Sequence, residues 1–113
     1  MMAIPKKLLI HEVTYKKKVK KDRWGNGDEG PGQIIQNVRI EPSSKIVRDK
    51  NNAEVKLSAV MFYDCKNSKP RGVTFAEDDI IIFQGMRHRV QVVEPVYDER
   101  KLHHYELGLI KYA

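Results

Sequence analysis

The side chains able to do chemistry in this chain are few: His11, His88, His103 and His104, the single cysteine Cys65, the adjacent Ser43 and Ser44, and the acidic triplet Glu77, Asp78 and Asp79. A metal centre would call for ligands at short fixed spacings such as CxxC or HxxxH; neither occurs, and His11, Cys65 and His88 would have to be gathered by the fold. His103 and His104 are neighbours on an alternating stretch, which sends their rings to opposite faces and bars them from sharing one metal or substrate. Ser43-Ser44 lacks a nucleophile-elbow context, and Cys65 ends an apolar face, the usual setting of a buried, inert thiol. The acidic triplet has no glycine-containing Ca²⁺ loop around it and reads as an exposed turn. Trp24 to Gly32, though rich in glycine, fits neither GxxxxGK[ST] nor GxGxxG before a helix, so nucleotide phosphate is not expected there. No catalytic residue, metal or cofactor follows from this inventory, and an enzyme is not expected.

The elements that position these residues read as strands. Ile80, Ile81, Ile82 and Phe83 form an apolar run, Gln84-Gly85 supplies a turn, and Met86 to Val93 alternates, the signature of a β-hairpin. Leu102 to Ile110 places His103, Tyr105, Leu107 and Leu109 on one face and Leu102, His104, Glu106 and Ile110 on the other. Upstream, Leu8 to Val19 reads as a first strand with Leu9, His11, Val13 and Tyr15 on one face. Gln33 to Ile40 is a second strand, and Ser43 to Ala53 a connection or weak edge hairpin around the turn cluster Asp49-Lys50-Asn51-Asn52. Glu54 to Cys65 is the longest alternating segment, with Val55, Leu57, Ala59, Met61, Tyr63 and Cys65 facing the core, and Val73-Thr74-Phe75 is a short strand before the acidic turn. About six strands, little or no helix and one long loop after the first strand predict a mainly β protein, a small antiparallel barrel or sandwich.

A chain of 113 residues supports one core, so residues 1–113 form a single domain from which the loop 16–33 projects. No apolar run reaches the ~20 residues of a membrane span, and Met1 to Ile10 lacks a secretory signal; a soluble, unexported protein without membrane contact is expected. One cysteine precludes an internal disulfide and suits a reducing compartment. The net charge of +6 is concentrated: residues 1–23 hold Lys6, Lys7, Lys16, Lys17, Lys18, Lys20, Lys21 and Arg23 against Glu12 and Asp22, and the remaining residues balance. Lys16 to Arg23 could neutralise several phosphates, a sequence-independent and salt-sensitive contact. Stacking aromatics for single strands are scattered, so a dedicated single-strand binder is disfavoured, whereas a small nucleic-acid-binding barrel acting through the basic stretch stays open as a second reading.

The order of elements resembles a minor capsid protein of tailed bacteriophages, of the head-tail connector and its head-completion or stopper-like proteins. The resemblance rests on the strand ending Val13-Thr14-Tyr15, Asp22-Arg23-Trp24-Gly25 opening the loop, Asn37-Val38-Arg39-Ile40, Ser58-Ala59-Val60-Met61-Phe62-Tyr63-Asp64, Asp79-Ile80-Ile81, Gly85, His88-Arg89-Val90, Val93, Pro95 and His104-Tyr105-Glu106-Leu107. It implies a β-barrel at the virion neck, held in the host bacterial cytoplasm before assembly. There identical subunits would form a ring, twelve-fold by the resemblance, against portal or adaptor and tail proteins. The segment Lys16 to Gln33 would reach the channel: Lys16, Lys17, Lys18, Lys20, Lys21 and Arg23 would face packaged phage DNA without sequence specificity. Trp24, Gly25, Asn26, Gly27, Asp28 and Glu29 would form a plug or docking tip. Glu77, Asp78 and Asp79 would meet Arg87, Arg89 or Arg71 of neighbouring copies.

Overall fold

A computed structural model describes residues 2–18 and 31–112. In chain order their strands are β1 (His11–Lys16), β2 (Gln33–Pro42), β3 (Ile46–Arg48), β4 (Glu54–Lys56), β5 (Ala59–Asp64), β6 (Ile80–Phe83), β7 (Met86–Tyr97) and β8 (Leu102–Lys111). Six of them close an antiparallel barrel in the order β1-β2-β5-β8-β7-β6, with β6 returning to β1; β3 and β4 form a separate hairpin. The fold is nearly all strand, with a single 3-10 turn at Lys6–Leu8 among the described residues.

Alternation places the core. Val13 and Tyr15 of β1, Ala59, Met61 and Tyr63 of β5, Ile81 of β6, Val90 of β7 and Leu107 and Leu109 of β8 all point inward and are buried. β2 breaks the rule, since Ile35 and Val38 are both inside although three residues apart. The break is a bulge: Asn37 adopts φ 58°, and the register opposite β1 slips between His11 and Glu12. β7 slips likewise between Val90 and Val92, turning Val92 outward opposite Gly108. The β6–β7 turn has φ 51° at Gln84 and 76° at Gly85, positive at both central residues, as the two-residue hairpin with the twist of its strands requires.

Three expected elements differ. The first strand is shorter than Leu8 to Val19, because the 3-10 turn takes up its start; Leu9, Val13 and Tyr15 are nonetheless buried as a set. The run Glu54 to Cys65 splits into β4 and β5, and Leu57 between them is buried on the outside of the wall and not in the core. It lies over Gly108, where an added Cβ would stand 2.9 Å from Leu57 Cδ1 and 2.5 Å from Val92 Cγ1. Val73-Thr74-Phe75 pairs with no strand. That segment instead closes the barrel end: the Phe75 ring sits edge-on to Tyr15 and Tyr63, each 5.2 Å away, and to Tyr105 at 5.5 Å. Tyr63 Oη donates to the Pro70 carbonyl at 2.6 Å, tying the same connection to β5.

Candidate nucleic-acid interface

One end of the barrel gathers the ends of β1 and β5 and the starts of β2, β6 and β8, together with the β5–β6 connection that crosses it. Lys16 closes β1, and Lys17 and Lys18 follow as exposed residues at this end. Lys20, Lys21 and Arg23 and the tip Trp24, Gly25, Asn26, Gly27, Asp28 and Glu29 lie outside the described residues. Both roots of the segment are fixed. The Lys18 amide donates to Asp79 Oδ1 at 3.0 Å, and Gly32 lies so close to β1 that a Cβ there would stand 2.5 Å from Thr14 Cγ2.

Asp79 is the centre of this arrangement. It is buried, and its Oδ2 accepts from Tyr15 Oη at 2.6 Å and from the Ala76 amide at 2.8 Å. Burial, then the hydrogen bond to Asp79 and its negative charge, push the Tyr15 phenol well above its ordinary range. Asp79 therefore belongs to the interior and is withdrawn from the acidic set expected to meet a neighbouring copy. Asp78 lies 3.8 Å from Arg89 of the same chain, and Glu77 beside it is exposed. Arg87 lies over the Tyr112 ring, 5.4 Å from its centroid, and donates to Tyr112 Oη at 3.2 Å.

The histidines and the cysteine are dispersed by the fold. His11 Nδ1 accepts the Ile40 amide at 3.0 Å and its ring packs on Phe83; burial and then Arg39 lower its pKa. His88 Nδ1 lies 3.1 Å from the Met86 carbonyl, and burial lowers its pKa. Cys65 is elsewhere, half-buried, its thiol pushed up by burial and by Asp64. Among the described residues no group of three His, Cys, Asp or Glu side chains is placed to hold a metal ion.

His103 and His104 do not diverge as alternation requires. Their Nδ1 atoms are 2.6 Å apart, with His103 Nε2 2.5 Å from the Met2 carbonyl and His104 Nε2 2.9 Å from Glu106 Oε2. The reason is in the ladder: Val96 pairs with His104 and Tyr97 with Leu102, so His103 is an extra residue at a register slip and turns toward its neighbour.

This same network anchors the N-terminal segment. The Ile4 amide donates to Asp64 Oδ1 at 3.1 Å, and Asn67 Nδ2 donates to the Ile4 carbonyl at 2.7 Å. Beside the segment is a cleft of about 470 Å³ lined by Met2, Cys65, Leu102 and three exposed cations, Lys66, Arg71 and Lys101, from two different connections. None of the three makes an ion pair with a described residue. The two carboxylates in the lining are committed to backbone. Asp64, fully buried, accepts the Ile4, Lys66 and Asn67 amides; Asp98 accepts the Arg100 amide at 2.7 Å and the Lys101 amide at 2.8 Å, which lowers its pKa. Composition hides this convergence, since the chain beyond residue 23 is neutral in sum. Its one trace in the sequence is local: Lys66 to Gly72 carries Lys66, Lys69 and Arg71 and no acid.

A family model described as minor capsid protein matches residues 5–109, from before β1 to within β8. No curated protein matches the chain.

Proposed function

The chain belongs to the minor capsid protein family, a structural component of phage particles, and from that premise we propose that it acts at the virion neck. There it would form a ring of identical subunits that closes the DNA exit channel or joins head to tail, contacting portal or adaptor proteins and tail proteins. The observation that carries the reading is the fixed root of the basic segment. A closed barrel holds Lys16 to Lys18 at one end through the Lys18 to Asp79 hydrogen bond, and the chain returns tightly against Thr14 at Gly32. Such a body would give the segment that carries Lys20, Lys21, Arg23, Asp28 and Glu29 two anchored ends on a stable base. The work is mechanical and electrostatic and needs no catalysis.

Deleting Asp22 to Gly32 tests it. The barrel should still fold, because its core lies in the strands, while particles carrying the deletion should lose DNA or fail to acquire tails. Infectious particles at the normal yield from that deletion would overturn the proposal.

A further inference from the structure

We propose that the cleft formed by Lys66, Arg71 and Lys101 is a binding site for the phosphodiester backbone of DNA, separate from the lysine stem that leaves β1. The inference rests on the reading that DNA passes this end of the barrel.

Three features select the ligand. The first is charge without a partner: three exposed cations converge on one cleft, and none is paired with a described carboxylate. The two acids of the lining, Asp64 and Asp98, offset part of this charge and leave the three cations in excess by one, while the oxygens of Asp64 and one oxygen of Asp98 are turned to backbone amides and form no ion pair with the cations. His103 is spent as well, with one ring nitrogen on the Met2 carbonyl and the other on His104.

The second is the kind of cation. Two lysines and one arginine from two connections spread their charge over the cleft: the lysines are point charges on long stems and the guanidinium can grip a phosphate by two parallel hydrogen bonds, so the set suits several phosphates in line better than one carboxylate. The third is the rest of the lining. Met2, Cys65 and Leu102 offer an apolar wall on which a sugar face can rest, in a space of about 470 Å³ that is wider than one phosphate needs. The site also shares the barrel end where Lys17 and Lys18 emerge, so one duplex could touch both. Because the contact reads charge and no base edge, it carries no sequence preference.

The test is the salt dependence of binding of the full-length chain to a short DNA duplex, followed by fluorescence anisotropy. Each phosphate contact contributes about 0.9 to the slope of log K against log salt. The variant K66Q/R71Q/K101Q should flatten that slope by about 2 to 3. The charge-matched variant K45Q/K56Q/K111Q, altered at the other end of the barrel, should change it by less than about 1. All six side chains are exposed, and thermal melts of both variants confirm that the fold is kept. Equal slopes for the two variants would show that only net charge matters and would overturn the site. So would a duplex that does not bind the parent chain at low salt, or binding competed away by a polyglutamate peptide but insensitive to the cleft variant. Each of these leaves the neck reading standing if the Asp22 to Gly32 deletion still empties particles, so the two failures are distinguishable.

Discussion

The buried pair Tyr15 and Asp79 makes a quantitative claim about how the basic segment is anchored. Their oxygens are 2.6 Å apart inside the barrel end, where a hydrogen bond to an ionised acceptor contributes roughly 1.5–3 kcal/mol. Asp79→Ala removes the acceptor of three donors: Tyr15 Oη, the Ala76 amide and the Lys18 amide. The two amides belong to exposed residues and regain water, so most of the loss falls on the phenol. Its fallback is the Thr74 carbonyl, already 3.1 Å away. Tyr15→Phe deletes the hydroxyl and keeps the ring against Phe75. A double-mutant cycle of these two substitutions, read from urea unfolding by circular dichroism, should give a coupling of about 1.5–3 kcal/mol. It should change little with salt, because the pair is buried. Amide exchange adds a residue-level readout: protection at Lys18 should vanish in Asp79→Ala and persist in Tyr15→Phe. A coupling below about 0.5 kcal/mol, within the range of independent sites, would refute the claim that this contact holds the barrel end together.

Two further outcomes follow from the wall itself. Gly108→Ala should cost about 1–3 kcal/mol by overpacking, since the new methyl would stand 2.5 Å from Val92 Cγ1, and Leu57→Ala in the same chain should not restore stability fully because Val92 remains in the way; urea titration of the single and double variants reads both. His88 is held neutral by burial, with Lys111 adding to the effect, so the unfolded chain takes up its proton first and stability should fall as pH drops below about 6.5, by at most about 1.4 kcal/mol per pH unit for this one group. His88→Asn, which can still donate to the Met86 carbonyl, should show a shallower loss over the same range in pH-dependent unfolding.

Much of the wall was legible in the residue pattern. Alternation in Met61 and Tyr63, and in Leu107 and Leu109, identifies inward faces because a strand exposes successive side chains to opposite sides, and the Gln84-Gly85 turn sits where the chain must reverse. The pattern fails where the period is interrupted. A bulge at Asn37 puts Ile35 and Val38 on one side, and a slip at Val96 and Tyr97 brings His103 to His104; neither has a local signature, because both are set by the partner strand. Leu57 continues an apolar face on paper, yet the chain leaves the wall there and the side chain is buried against the outer surface over a glycine. Phe75 looks like strand because aromatic and β-branched residues favour strands, whereas its position is decided by a tyrosine-lined barrel mouth assembled from three distant strands. The cation cleft left only the acid-free run Lys66 to Gly72 as a trace, for the same reason: Lys66, Arg71 and Lys101 line one cleft only through the tertiary fold.

Closure of the barrel also determines what kind of neighbour this protein can accept. Each of the six wall strands has a hydrogen-bonded strand on either side over at least part of its length, which leaves a foreign segment little of that sheet to extend; the stretch of β7 beyond Val90 pairs with β8 alone. A neighbour would then meet mostly side chains and connecting segments, which can diverge in sequence while the shell stays the same. The β3–β4 hairpin is a two-stranded ribbon with open rims, and Arg48, Lys50 and Lys56 along it are the kind of charges that discourage indiscriminate pairing.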